Sequence, residues 1–185
     1  MLNKDFGFSS NRIVLGQVRG TVQLCSACFF CFLTLMLVFF FKNIITSFLY
    51  FFFQWKQSSL FTQSPVISMR LKKKKLVLGI RNITLELADD DRMEFNLVKV
   101  MEMGKWYEVK FGIFFSHEHN GFVKVWMNQE KIPTQIYYGP TMSQADQGYF
   151  DFHFGVYRDQ WNETQTLLLD DFIVTGNESD VFANK

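Results

Sequence analysis

Short segments in which apolar and polar residues alternate follow one another from about residue 44 to residue 174, and this alternation restricts the chain to β structure. In one segment the apolar residues occupy every second position: Val109, Phe111, Ile113 and Phe115. Further segments of this kind cover residues 123–127 and 150–156, and residues 167–172 are interpreted as a last strand. Because alternate residues of a strand share a face, each segment offers one face to a core. Many short strands of this type predict an all-β sandwich or barrel.

Turn signals separate the strand-like segments. Asn120-Gly121 lies between two alternating segments, and this dipeptide predicts a β-hairpin. The run Lys72–Lys75 is flanked by alternating apolar residues and predicts a hairpin tip with solvated lysines. A patch that binds a polyanion is the alternative for this run. His117 and His119 flank a glutamate as a metal pair would, but their place before a turn favours a plain loop.

The N-terminal part of the chain differs in composition from the rest. From Val22 to Phe41 the chain is almost continuously apolar, which is long enough for a membrane span or a signal sequence. Basic residues before this run favour a cytosolic N-terminus, so the remaining chain is expected to be secreted or to lie on the extracellular side of a membrane. Glycosylation sequons at Asn82, Asn162 and Asn177 agree with that side. Alternatively, the Phe-rich first fifty residues are not genuine coding sequence.

The predicted organisation is an N-terminal segment, residues 1–43, followed by a β domain, residues 44–185. Cys25, Cys28 and Cys31 all lie in the apolar run, so the β domain has no disulfide framework. The run also lacks the polar groups that hold metal thiolates, and no metal site is expected. The formal net charge of +1 gives no general attraction to nucleic acid, so charge-based recognition must be local. We expect a monomer.

The order of four segments resembles that of one enzyme family: Gly104–Val109, Asn120–Asn128, Tyr149–Arg158 and Leu169–Phe172. The chain resembles the polysaccharide lyases typified by heparin lyase I and glucuronan lyase. In that family a GKW strand is followed by a hairpin, by a strand that ends in Tyr-Arg, and by a strand with paired aspartates. The resemblance implies a jelly-roll, concanavalin-like antiparallel β-sandwich, here lacking part of its N-terminal strands.

Upstream of these segments the resemblance is weaker and includes departures from the family pattern. Phe53–Lys56, followed by Ser64–Leu71, resembles the family's QWH…P stretch. Lys56 stands where the family usually has histidine, and His153 stands where it usually has lysine. A further family arginine, on an earlier strand, has no clear counterpart, and Asn128-Gln129 replaces the usual Asn-Gly turn.

Strand alternation brings the polar residues of these segments onto shared faces. His153 and Tyr157 project from one face of their strand, about 13 Å apart at roughly 3.3 Å per residue. Gln54 and Lys56 likewise share a face of theirs. If the two strands are neighbours in one concave sheet, these four side chains line one polar groove.

Such a groove suits β-elimination from a uronic acid, which removes the C5 proton and expels the 4-linked oxygen. Gln54 and Lys56 are suited to binding the carboxylate, which makes the C5 proton more acidic. A tyrosine serves as base or acid when a nearby positive charge, here from Lys56, His153 or Arg158, lowers its pKa from about 10. The resemblance implies that Tyr157 is the catalytic tyrosine and Gln54 the carboxylate-binding amide, with His153 and Lys56 as altered members of the site.

Two further residues are candidates for substrate binding beside Arg158. Lys124 and Trp126 share a strand face with Phe122, and an aromatic face of this kind stacks on sugar rings. Packing within the sheet is the alternative for these side chains.

The resemblance implies a polysaccharide lyase homologue, with an impaired or intact site, that acts on an acidic polysaccharide such as glucuronan, alginate or a heparin-like chain. A non-catalytic carbohydrate-binding or adhesion sandwich is the alternative, because lysine at Lys56 is a poor base at neutral pH and the family arginine is missing. No cofactor is expected. Folds of this family sometimes carry calcium, but no acidic cluster in this sequence requires it.

Overall fold

A computed structural model of the chain describes residues 13–15, 20–24, 32–41, 49–57, 65–81, 92–142, 150–157 and 167–175. Side chains are described at 53–56, 65–81, 92–142, 152–154 and 168–170. Within these residues the regular structure consists of strands alone: β1 (Ile13–Leu15), β2 (Gly20–Leu24), β3 (Phe32–Phe41), β4 (Leu49–Gln57), β5 (Ile67–Lys72), β6 (Lys75–Arg81), β7 (Arg92–Val98), β8 (Trp106–Phe114), β9 (Phe122–Met127), β10 (Gln135–Tyr138), β11 (Phe150–Tyr157) and β12 (Leu167–Thr175).

The strands form two six-stranded sheets. In hydrogen-bonding order, sheet I contains β1, β12, β3, β8, β9 and β10, and sheet II contains β2, β11, β4, β5, β6 and β7. Every described pair of neighbouring strands is antiparallel. The chain passes repeatedly between the sheets, from β1 to β4 and again from β10 to β12, as the chain of a jelly roll does. The predicted antiparallel β-sandwich is therefore confirmed.

Apolar side chains from both sheets meet between them and form one core. Phe111 of sheet I lies 5.0 Å from Trp55 and 6.5 Å from Phe53 of sheet II, measured between ring centroids. Phe152 of sheet II stacks on Phe53 at 5.9 Å. All four rings are at most 2 % exposed, and each such burial stabilises the fold by about 1.5–3 kcal/mol. The core therefore fixes which residues of β4 and β11 point inward and which point outward.

A tight turn at Lys73-Lys74 joins β5 to β6, with φ angles of 50° and 65°. Positive φ at both central residues defines the type I′ turn, whose twist matches that of the paired strands. Asn128-Gln129, after β9, has the same pair of φ angles, 50° and 65°. The predicted hairpin tip in the lysine run is confirmed.

The hairpin predicted around Asn120-Gly121 is present, but its connection differs from the prediction. Pairing of β8 with β9 ends at Phe114 and Phe122, so the connection is longer than the tight turn that Asn-Gly favours. Gly121 instead serves close packing, because a Cβ there would lie 2.5 Å from the carbonyl oxygen of Gly139.

Backbone from the apolar N-terminal segment enters both sheets. β2 pairs with β11 in sheet II, and β3 lies between β12 and β8 in sheet I. Among the residues that the structure describes, no helix is long and apolar enough to cross a membrane. The domain boundary at residue 43, the extracellular location and the monomeric state stay predictions.

Candidate functional site

Gln54 and His153 lie directly opposite each other on the neighbouring strands β4 and β11. Phe53 and Trp55, on either side of Gln54, are buried in the core. Gln54 and Lys56 therefore project from the outer face of sheet II, and His153 projects from the same face because paired residues share a face. All three polar side chains are partly buried. The structure thus brings together three of the residues that the sequence proposes for the groove.

A row of paired positions crosses sheet II at this level: His153, Gln54, Ser68, Gly79 and Glu94. Adjacent strands lie about 4.8 Å apart, so the row extends over roughly 19 Å. The row carries an imidazole, an amide, a hydroxyl and a carboxylate, and the space above Gly79 is taken up by the side chains of Ser68 and Arg70. We call this set the Gln54 row.

Two polar atoms on either side of Gln54 have no partner among the residues that the structure describes. His153 Nε2 and Ser68 Oγ are both buried, and neither makes a hydrogen bond to that part of the chain. Buried polar atoms in native proteins are nearly always paired, so an unpaired one marks a place where a ligand group or a water is expected to bind. Because both atoms belong to the Gln54 row, they point to Gln54 as the centre of the candidate site.

Arg70 and Glu94 form an ion pair that crosses β6. Gly79 makes room for it, because a Cβ at Gly79 would lie 3.4 Å from Arg70 Nη2. Lys72 Nζ lies 3.0 Å from Glu94 Oε2. Burial raises the pKa of Glu94. The hydrogen bond from Lys72 and the charges of Arg70, Lys72 and Arg92 together lower the pKa by more, so it lies below the ordinary value of a glutamate. Glu94 therefore stays ionised at neutral pH and holds Arg70 in place.

Tyr157 occupies the row next to the Gln54 row. Its backbone pairs with Phe51, and Phe51 pairs with Arg70. Arg70 lies two residues beyond Ser68 on β5 and shares its face. The structure describes Tyr157 by its backbone alone, so its catalytic role stays a prediction. Arg158 lies outside the described residues.

The pairing of β4 with its two neighbours, β11 and β5, is irregular between the Gln54 row and the row of Tyr157. The register with β11 shifts between Phe154 and Tyr157, and the register with β5 shifts between Phe51 and Phe53. Such bulges redirect strand residues and are frequent beside active sites. They place the row of Tyr157 next to Gln54.

The structure separates Lys124 and Trp126 from these residues. Both lie on β9 of sheet I and alternate with valines that are buried in the core, so they project from the outer face of sheet I. Lys124 Nζ lies 4.8 Å from the centroid of the Phe122 ring. Trp126 is largely buried. These two residues therefore belong to a different surface from Gln54.

No group of three His, Cys, Asp or Glu side chains in the described ranges is placed to hold a metal ion. His117 and His119 lie in the connection between β8 and β9, as expected for loop residues. Cys25, Cys28 and Cys31 fall outside the described residues, and so do the three sequons. The expectation that the protein needs no cofactor stays a prediction.

Sequence reasoning does not identify Ser68, Arg70 or Glu94 as members of this surface. The signal for the first two is present in β5, where Ser68 and Arg70 alternate with apolar residues. Their cross-strand partners depend on the register of β4 with β5, which alternation alone does not give.

The fold and the Gln54 row define a jelly-roll sandwich with its candidate site on the outer face of one sheet. The profile of the family described as Polysaccharide lyase matches residues 41–173, which include the Gln54 row and Tyr157. The chain therefore belongs to the polysaccharide lyase family, and the family resemblance seen in the sequence is confirmed. No curated protein matches the chain at a significant level.

Solved structures of lyases share the fold. An endo-β-1,4-glucuronan lyase from the fungus Trichoderma reesei superposes with a TM-score of 0.66 at 15% identity, over 94% of this chain and 78% of that one. An alginate lyase from Pseudomonas aeruginosa gives a TM-score of 0.54 at 11% identity, over 78% of this chain and 64% of that one. An alginate lyase from Corynebacterium sp. gives 0.54 at 14% identity, over 84% and 61%. The chain thus spans less than two thirds of the length of these two alginate lyases.

Proposed function

We propose that the protein cleaves a uronic-acid-containing polysaccharide by β-elimination, with the reacting sugar bound over Gln54. The observation that carries the proposal is the pairing of Gln54 with His153 and Ser68, whose Nε2 and Oγ atoms are buried without a hydrogen-bond partner in the described ranges. Membership of the polysaccharide lyase family and the shared fold with glucuronan and alginate lyases support it.

The first task is to bind the carboxylate of the uronic acid. The Gln54 amide donates a hydrogen bond to a carboxylate oxygen, and the neighbouring Lys56 supplies positive charge from the same face. His153 adds a second donor when Nε2 carries a proton. Neutralising the carboxylate stabilises the negative charge that develops when the C5 proton leaves.

The second task is proton transfer, which we assign to Tyr157. The ionised phenol takes the proton as the C5–H bond breaks, a double bond forms between C4 and C5, and the bond from C4 to the leaving oxygen breaks. The same tyrosine then returns the proton to the leaving oxygen. No water, oxidant or metal enters the balance of this step.

A carbohydrate-binding protein without catalysis is the second candidate, and Lys56 favours it. A lysine side chain binds a carboxylate but is a poor base at neutral pH. If Tyr157 is not placed to transfer the proton, the Gln54 row binds the polysaccharide and leaves it intact.

The test uses the full chain, because β1, β2 and β3 lie within the sheets. The purified protein is incubated with glucuronan, alginate and heparin, and the ultraviolet absorbance of the unsaturated product is followed. Tyr157→Phe is the matched variant, since it removes only the hydroxyl. Retention of each protein in gels that contain the polysaccharide measures binding separately.

Product formed by the wild type and lost in Tyr157→Phe, with binding kept, is the expected result. Binding without product from the folded wild type leads to the second candidate. A folded wild type that neither binds nor cleaves any uronate overturns both.

A further inference from the structure

The hairpin tip formed by Lys72, Lys73, Lys74 and Lys75 is less stable than a tight turn at this place could be with other residues. Type I′ turns favour Asn-Gly, because positive φ is unfavourable for residues with a Cβ. Here both central positions are lysines, with φ of 50° and 65°. Lys72 and Lys75 are also paired directly opposite each other, and like charges in this position are destabilising. Strained backbone that carries a chemical group suggests a function for that group.

The charges of this tip are open to an external partner. All four lysines are exposed. Lys73, Lys74 and Lys75 make no ion pair with any residue that the structure describes. Lys72 alone has an acidic partner there, Glu94.

The segment next to the tip adds charge and holds the tip in place. Met101, which is buried in the core, donates its backbone N–H to the carbonyl oxygen of Lys74 at 2.7 Å. Lys99, two residues earlier, is exposed. The nearby Glu102 is paired with Lys105 at 3.1 Å, so it is already engaged.

The tip continues the outer face of sheet II on which the Gln54 row lies. Ser68, Arg70 and Lys72 alternate outward along β5, so Lys72 lies about 13 Å from the Gln54 row at roughly 3.3 Å per residue. Arg70, between them, occupies the row of Tyr157. An extended polymer bound over Gln54 can therefore reach the tip while it stays on one face.

We propose that the Lys72–Lys75 tip is a second binding site for the acidic polysaccharide, which contacts carboxylates of sugar units outside the reacting centre. This inference rests on the proposed function, because it takes the same polymer as its ligand. Clustered exposed lysines attract a polyanion through charge, without reading its sequence or linkage. The tip therefore contributes to affinity for long chains and does not take part in the chemical step.

The turn allows a variant whose thermal stability is expected to rise while its affinity for the polysaccharide falls. Lys73→Asn/Lys74→Gly removes two charges and installs the favoured type I′ dipeptide. Gln129→Gly is the matched control, since it creates the same Asn-Gly turn at Asn128-Gln129, which has the same φ angles, without changing a positive charge. Lys73→Arg/Lys74→Arg keeps both charges.

The experiment measures thermal unfolding and retention in gels that contain long-chain glucuronan or alginate, with a neutral glucan as reference. For Lys73→Asn/Lys74→Gly the Tm is expected to rise by about 3 °C, from relief of strain. Its retention by the polyuronate is expected to weaken about fivefold at low salt, and the loss is expected to shrink as salt screens the charges. Gln129→Gly raises the Tm without weakening retention, and the arginine variant retains binding.

Retention of Lys73→Asn/Lys74→Gly equal to that of the wild type overturns the inference and leaves the proposed function standing. An equal loss in Gln129→Gly also overturns it, because the effect is then one of turn conformation and not of charge. A wild type that does not bind the polyuronate overturns both this inference and the proposed function.

Discussion

The outer faces of the two sheets differ in chemistry although they cover the same core. On sheet II the Gln54 row consists of polar or charged residues apart from Gly79, and Ser68 and Arg70 are buried there. On sheet I the outward positions at one end carry aromatic rings, with Phe122 lying 5.7 Å from Phe114 and 6.4 Å from Tyr138 between centroids.

This difference indicates which face of such a sandwich is suited to bind a ligand. Aromatic rings that stack on one another stabilise the sheet that carries them and need no external partner. Buried polar groups without a protein partner are unfavourable unless something else satisfies them. Among the described side chains, Ser68 Oγ and His153 Nε2, both on sheet II, are in that position. The outer face of sheet I therefore carries a packing surface, and the outer face of sheet II carries the candidate active site.

The largest expected contrast between the faces is in catalysis. Gln54→Ala is expected to lower the rate of product formation by about 10²–10³-fold, because a hydrogen-bond donor to the developing charge is lost. Lys124→Ala, on the outer face of sheet I, is expected to change the rate by less than about twofold, since surface charges act weakly. Initial rates from ultraviolet absorbance measure both. Equal losses in the two variants would contradict the separation of the faces.

The next contrast concerns two glycines: Gly79 lies in β6 of sheet II, and Gly121 directly precedes β9 of sheet I. Gly121→Ala is expected to destabilise the fold by about 3 kcal/mol, because its Cβ would lie 2.5 Å from a backbone oxygen that cannot move away easily. Gly79→Ala is expected to cost about 1 kcal/mol, since the atom it meets most closely is Ser68 Oγ, 2.9 Å away, at the end of a short side chain that can rotate. Urea unfolding midpoints check the order, and a reversed order would contradict it.

A smaller effect is expected from the ion pair of sheet II. The pKa of Glu94 is lowered in the folded state, so its ionised form stabilises the fold above the ordinary carboxyl pKa and loses this contribution as the pH falls through the lowered pKa. Because the Glu94 side chain is 36 % exposed, solvent screens the pair, and Glu94→Gln is expected to cost about 1 kcal/mol at pH 7.

Urea unfolding at pH 7 and at about pH 3 tests this pH dependence. The difference between wild type and Glu94→Gln is expected to shrink at the lower pH. Glu118→Gln, an exposed residue of the β8–β9 connection, serves as the control and is expected to show no such change. A cost for Glu94→Gln that is the same at both pH values would speak against ionisation as its source.

The smallest expected effect lies on sheet I. Lys124 Nζ is 4.8 Å from the centre of the Phe122 ring, so Lys124→Gln removes a cation–π contact. An exposed contact of this type is worth about 0.5 kcal/mol, which lowers the Tm by roughly 1–2 °C. Lys131→Gln, which also removes a surface lysine, is the control. A Tm change equal in both variants would assign the effect to net charge.

The strand positions are well predicted from the sequence, because alternation and burial follow the same period. β8, β9 and β11 coincide with segments that alternation marks, β12 coincides with the predicted last strand, and the core rings Phe53, Trp55 and Phe152 take the inward positions. Alternation predicts the nearness of Gln54 to His153 only on the condition that their strands are neighbours, and the pairing of β4 with β11 meets that condition.

Cross-strand partners beyond that pair are not predictable from alternation. Ser68, Arg70 and Glu94 join the surface through the registers of β5, β6 and β7, and register depends on turns and bulges. The separation of Lys124 and Trp126 from Gln54 follows from the assignment of β9 to sheet I. A motif shows which residues occur together in a family, but not which of them lie on the same face of the folded protein.

The paired register shifts beside Gln54 have a consequence for how this chain tolerates change over evolution. β4 is out of step with β5 between Phe51 and Phe53, and with β11 between Phe154 and Tyr157. Removing or adding one residue there would turn Gln54 toward the core or detach it from the row of Tyr157. Point substitutions, such as lysine at Lys56, leave this arrangement intact. In this part of the family we therefore expect insertions and deletions to be eliminated more strictly than point substitutions at positions other than Gln54 and Tyr157.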